Sequence, residues 1–144
     1  MATIHSAAIN TIVPRPQTAG ALHFAMFTHV FSEAYTASGN ILELGVLPPF
    51  AKIAGYKIIP EGSFGGVTFS AGLMTGVLGD DGSRSVGTEL AAATTALTAA
   101  IEGVKPEAFD AASSDIERGI GFVLSGDVTA SASKKIRLLL FFYQ

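Results

Sequence analysis

His5, His23 and His29 are the residues of this chain best suited to moving a proton or ligating a metal. His23 and His29 stand six residues apart. In an extended strand that spacing puts them on one face but roughly 20 Å apart, at about 3.3 Å per residue. One strand therefore cannot bring both to a single metal ion, and neither has a carboxylate at a ligand-like spacing beside it. His5 falls in a separate N-terminal segment. Surface or interfacial histidines are expected here, with no metal site.

Other reactive groupings resolve into turns. Asp80-Asp81-Gly82-Ser83 pairs two carboxylates before a glycine. It lacks the alternate oxygen ligands and distal Glu of a calcium loop, and Asp-Gly between strands is first a turn. Ser131-Ala132-Ser133-Lys134 has the spacing of a serine nucleophile and lysine base, but the companion S-D-N and K-T-G elements are missing. Gly62-Ser63-Phe64-Gly65 is one residue short of a nucleophile elbow. Gly65-Gly66 and Gly119-Ile120-Gly121 do not continue into a phosphate loop, so bulges or close backbone approach are expected there. Asp110, Asp115 and Glu117 form the densest acidic stretch, and a glycosidase pair among them would have to meet in space. With no Trp and three Tyr, a sugar-stacking platform is thin. The absence of cysteine excludes disulfides, zinc thiolates and a thiol nucleophile. The sequence predicts no catalytic residue and no cofactor.

The elements that carry these residues read as strands. Short apolar runs at 22–31, 41–47, 52–59, 67–74, 119–125 and 135–143 are separated by turn signals such as Ser38-Gly39-Asn40, Pro48-Pro49, Pro60-Glu61-Gly62 and Ser125-Gly126-Asp127. Such spacing predicts a mainly β protein, an antiparallel sandwich or barrel. Leu90, Leu97, Ile101 and Val104 recur at near-helical spacing, which predicts one helix over about 89–102, capped by Thr88 and stopped by Gly103. Residues 1–20 read as an extended arm stiffened by Pro14-Arg15-Pro16, and 21–144 as a single domain.

The most informative of these runs is 136–144. One face would carry Ile136, Leu138, Leu140 and Phe142, and the other Arg137, Leu139, Phe141 and Tyr143. A strand wetted on one side should alternate apolar with polar residues, so this second face needs a cover as well. Hydrophobic residues make up 49% of the chain and charged ones 15%, against about 25% charged in an average globular protein. Nine basic and twelve acidic residues are scattered with no basic stripe, which argues against a nucleic-acid partner. No apolar stretch nears the roughly 18 residues of a spanning helix, so no membrane partner is expected. The run 19–31 is broken by His23, Thr28 and His29 and is not read as a signal peptide.

Three segments carry a family pattern. They are Ile41-Leu42-Glu43-Leu44-Gly45-Val46-Leu47-Pro48-Pro49, Gly66-Val67-Thr68-Phe69-Ser70-Ala71-Gly72-Leu73-Met74-Thr75-Gly76, and Gly119-Ile120-Gly121-Phe122 leading to Ser125-Gly126-Asp127-Val128 and Ile136 to Tyr143. Their order, over about 40–144, resembles the capsid cement (decoration) proteins of tailed bacteriophages. The resemblance implies a jelly-roll-like β-sandwich and a non-enzymatic virion protein, synthesised in the host cytoplasm. Its place would be the exterior of the capsid, bridging copies of the major capsid protein. Such proteins self-associate, often as trimers, so a homo-oligomer is implied too. The candidate contact residues are Ile12, Val13 and Arg15 of the arm and Leu139, Phe141 and Tyr143 of the terminal strand. Alternatives are a head-completion or tail-associated subunit, and a sandwich-fold carbohydrate-binding or hydrolytic domain using Asp110, Asp115 or Glu117.

Overall fold

Alternating apolar residues turn one side of each strand toward a shared interior. In the computed structural model, which describes residues 2–6, 21–98, 100–103 and 105–144, these strands form two sheets packed face to face. They are β1 (Ala2–His5), β2 (His23–Val30), β3 (Asn40–Leu47), β4 (Lys52–Glu61), β5 (Thr68–Leu73), β6 (Ala91–Ala96), β7 (Ile101–Glu102), β8 (Arg118–Leu124) and β9 (Lys135–Tyr143). One sheet has the order β1-β3-β8-β5-β6 and the other β2-β9-β4-β7. Apart from β5 and β6, which are neighbours, each strand from β2 onward is followed by one in the opposite sheet. That winding is a jelly roll. The pairing is antiparallel except that β1 lies parallel to β3 at the sheet edge, an addition that the all-antiparallel expectation lacks.

The core lies between the sheets. Ile136, Leu138, Leu140 and Phe142 of β9 are buried in one cluster with Phe27 and Ile58 of their own sheet and Leu42, Leu44, Phe69 and Phe122 of the other. Phe69 and Phe122 stack with ring centroids 5.7 Å apart. Burying each such side chain contributes roughly 1.5–3 kcal/mol. Tyr35 is also buried, and its hydroxyl stays satisfied by donating to the Asn40 carbonyl (2.6 Å) and accepting from the Leu124 amide (3.2 Å).

The predicted helix over 89–102 is corrected by the structure. The segment forms β6, paired with β5, and β7, paired with β4. Leu90 and Leu97 are buried, but as anchors at the two ends of β6, where their amides donate to the Ala71 and Val67 carbonyls at 3.0 and 3.1 Å. Thr94 and Thr95 are stiff at χ1 and fit a pleated edge, and the open side of β5 offers the hydrogen bonds that override alanine's helix preference. The one helix among the described residues, α1 (Pro106–Asp110), follows with a proline in its first turn. It packs beside β4, with Phe109 6.2 Å from the Tyr56 ring.

Candidate interaction surface

Outside the sheet containing β1 the chain covers itself. Gly72 of β5 pairs with Gly121 of β8, and Gly119 lies two residues away. The connection between β5 and β6, residues 74–90, lies over these glycines. It is held by the Met74–Val86 bridge, by the Gly87 amide donating to the Leu73 carbonyl (2.9 Å) and by the Thr75 amide donating to Ser85 (3.0 Å). A Cβ on Gly121 would stand 2.7 Å from the Met74 side chain and from Val86, and one on Gly72 would strike the backbone of Gly87. Close approach is what these glycines permit, of backbone at Gly72 and of side chains at Gly119 and Gly121; the close approach expected at Gly119 and Gly121 is found, whereas Gly65 and Gly66 meet nothing within 4 Å.

Beneath this cover sits a charged network. The Glu43 side chain is fully buried, and its Oε1 lies 2.8 Å from Nη2 of Arg84, itself 2% exposed. Glu43 Oε2 lies 2.8 Å from His5 Nδ1 and accepts from the Gly79 amide at 3.3 Å. His5 Nε2 meets Asp81 Oδ1 at 2.9 Å, and Arg84 Nε donates to the Thr75 carbonyl at 2.8 Å. The network ties β1, β3 and the covering connection together. Glu43 has no open side for a substrate, so the arrangement is a fastening. Its carboxylates come from 38 and 76 residues beyond His5, which is why spacing along the sequence gave no sign of them.

The other sheet is finished differently. β2 pairs with β9 in the register His23–Phe142, Phe24–Phe141, Ala25–Leu140, Met26–Leu139, Phe27–Leu138 and His29–Ile136. Residues directly opposite share a side, so His23, Ala25, Phe27 and His29 stand with the buried residues of β9, and Phe24 and Met26 stand outside. His23 stacks on Phe142 at 6.0 Å, and His29 meets Phe31 edge-on at 4.7 Å. Burial pushes the His29 imidazole below its ordinary value of 6.5. Both histidines thus lean on core aromatics rather than on an open surface. Outside, Leu22, Phe24 and Met26 are 63, 66 and 59% exposed, joined by Val30 and Tyr143. Leu139 and Phe141 are half-buried beside them, with the Phe24 and Phe141 rings 6.2 Å apart. Two cations on this side are paired, Lys57 with Glu102 at 3.4 Å and Arg137 with Glu61 at 3.2 Å, while Lys52 and Lys135 stand opposite Tyr143 and Val30. A groove of about 360 Å³ runs from Leu139 and Phe141 past Gly55 to Phe109.

Leu139, Phe141 and Tyr143 are therefore brought together on one apolar face, whereas Ile12, Val13 and Arg15 lie outside the described residues. Leu22, Phe24 and Met26 complete the face, and reasoning from the terminal strand alone missed them. Their signal was present in the sequence, because 22–31 is also apolar on both alternating sets. The three acidic candidates do not share one site: Asp115 and Glu117 line the same depression, with Pro49, Val77 and Ile116, and Asp110 a different one, with Glu89, Glu107 and Arg118. Ser131 and Lys134 belong to a turn, where Ser131 Oγ meets Ser133 Oγ at 2.8 Å and Lys134 Nζ donates to Thr129 at 2.7 Å. Among the described residues no cluster of His, Asp and Glu could hold a metal, and no helix is long and apolar enough to cross a membrane.

No protein-family model matches the sequence, and no curated protein matches it. Solved structures do. A chain of the capsid of Ralstonia phage GP4 is similar over 99% of this chain and 98% of its own length, with 29% identity and a TM-score of 0.85. A chain of the cyanophage Pam1 capsid asymmetric unit shares the fold over 92% of this chain and 91% of its own, with 13% identity and a TM-score of 0.59.

Proposed function

We propose that this chain is a non-enzymatic structural protein of a bacteriophage capsid, carried on the outside of the head, where it bridges neighbouring copies of the major capsid protein. The observation that carries this reading is the end-to-end similarity to a chain of the GP4 capsid. The chemistry agrees with it. The buried pair of Glu43 and Arg84 is closed over by residues 74–90, and Asp110 stands in a different depression from Asp115 and Glu117. What the molecule offers instead is a two-sheet frame with an apolar face that no described residue covers. A protein of this kind works mechanically, since surface buried across neighbouring subunits adds contacts that must break before a shell opens.

The test is biochemical. Purified heads should carry this chain in fixed proportion to the major capsid protein and release it before the shell dissociates. Heads lacking it should open at lower temperature or lower internal load. Its absence from purified particles would remove the reading.

A further inference from the structure

We infer that the outer face of β2, β9 and β4 is a docking surface for a protein of opposite charge, one whose own surface sets carboxylates at the two ends of an apolar patch. Under the capsid reading, on which this rests, that protein is a subunit of the shell.

Residues directly opposite in a ladder share a side. On β9 the outward row runs from Lys135 to Tyr143, and on β2 it includes Phe24 and Met26. Leu22, Phe24, Met26, Val30 and Tyr143 together leave on the order of 500 Å² of side chain in water, given about 150–250 Å² for each large aromatic. That lies high in the range of about 300–600 Å² for the largest apolar patch of a monomer, where such patches often mark contact sites.

Charge selects the occupant. Lys57 and Arg137 are matched on the face by Glu102 and Glu61. Lys52, opposite Tyr143, and Lys135, opposite Val30, make no ion pair among the described residues. Four cations against two carboxylates leave the side chains of this face at +2, although the whole chain stands at −3. The two unmatched lysines bracket the apolar residues. Lys135 and Tyr143, the first and last residues of β9, are roughly 27 Å apart at about 3.4 Å per residue. A complementary surface therefore carries carboxylates about that far apart, with apolar side chains between them. A second copy of the same face would set positive charge against positive charge, and a neutral surface would desolvate both lysines without replacing their water.

The face also has relief. The pairing of β4 with β9 shifts between Ile53 and Gly55, and a groove of about 360 Å³ runs there from Phe141 to Phe109. A Cβ on Gly55 would stand 3.5 Å from the Phe141 ring, so the glycine keeps the floor of the groove open. The groove has room for one large apolar side chain of the partner, the kind of central anchor that carries most of the energy of a contact.

The experiment is co-sedimentation of the full chain with heads assembled without it, at about 50 mM and about 500 mM salt, between which the screening length changes about threefold. The wild type is expected to bind, and more weakly at the higher salt. Lys52→Glu with Lys135→Glu should weaken binding about tenfold at the lower salt and remove most of the salt dependence. Phe24→Gln with Met26→Gln should weaken it about 100-fold at either salt, as loss of central apolar anchors does. Val77→Gln with Ile116→Gln, which alters exposed apolar residues elsewhere, should bind as the wild type does. Circular dichroism and thermal melting report whether each variant is folded, and Gly55→Leu, which fills the groove, replaces the β2 pair if that pair is not. A wild type that binds while both folded face variants bind equally well overturns the inference and leaves the capsid reading standing. Tighter binding by the lysine variant overturns it too, since the partner is then basic. A wild type that does not bind heads removes the capsid reading and this partner with it. Binding to phosphatidylserine vesicles in place of heads, abolished in the lysine variant, would assign the face to an anionic lipid surface. A wild-type oligomer that the β2 pair dissolves would assign it to a second copy, and either result overturns the inference.

Discussion

Above Gly72, Gly119 and Gly121 the chain lays its own residues 74–90, and between the two layers it buries Glu43 against Arg84. Above Phe24, Met26, Leu139 and Phe141 no described residue of the chain takes that place, and the side chains themselves are large. The two outer faces of one sandwich thus differ in what finishes them. Where the cover is intramolecular, side chains are deleted to let backbones meet, and charge can be enclosed because its partners arrive with the cover. Where it is not, bulk is retained and no charge is enclosed: Lys57 and Arg137 are paired with Glu102 and Glu61 at partly exposed positions. A glycine-lined face is already occupied, and a face of large apolar residues remains to be occupied.

The largest effect expected from this contrast lies on the covered face. Arg84→Met leaves the buried Glu43 carboxylate with only His5 and the Gly79 amide as partners and should cost about 3–5 kcal/mol in urea denaturation. The double replacement Glu43→Leu with Arg84→Met should recover most of that loss, since a buried pair exchanged for apolar residues is often neutral. A single-variant cost under about 1 kcal/mol would mean that water reaches Glu43 and that the face is not closed. Next comes Gly72→Ala. Its new Cβ would collide with Gly87, so residues 74–90 must lift, at about 1–3 kcal/mol, with faster proteolytic cleavage inside that segment.

The uncovered face should respond in the opposite sense. Leu22→Ser with Met26→Ser removes two exposed apolar groups, so the dissociated chain should keep its stability within about 0.5 kcal/mol. A loss as large as that of Gly72→Ala, measured at concentrations where the chain is monomeric, would show that the face is part of the core.

How much of this was legible in the sequence follows from what alternation encodes. It marks which residues share a side of a strand, so the runs that became β2, β3, β4, β5, β8 and β9 were readable, as was the two-faced character of 136–144. It does not say which side is inside when both are apolar, and for 22–31 that ambiguity hid Phe24 and Met26. The helix expected over 89–102 failed because two leucines seven residues apart fit a helix as well as they fit the two ends of an edge strand. The fastening of His5 to Glu43 and Asp81 was illegible because β1 reaches those carboxylates only through the fold. Gly119 and Gly121 were readable as places of close approach, though not for what approaches them, while Gly65 and Gly66, expected to be alike, lie open in a turn.

The smallest expected effect tests the orientation on which the contrast depends. His29 stands on the inner side of β2, and burial holds its imidazole below the ordinary 6.5. As pH falls below that value the unfolded chain takes up a proton that the folded chain resists, so this residue's contribution to stability is full above 6.5 and is lost as pH falls through the folded value. The melting temperature should therefore drop between pH 7.5 and 5.5 by more in the wild type than in His29→Gln. The difference should be small, because His29 is one of several groups that titrate in this range. If the two proteins lose equal amounts, burial does not hold the His29 imidazole down, and its place against the core aromatics would have to be revised.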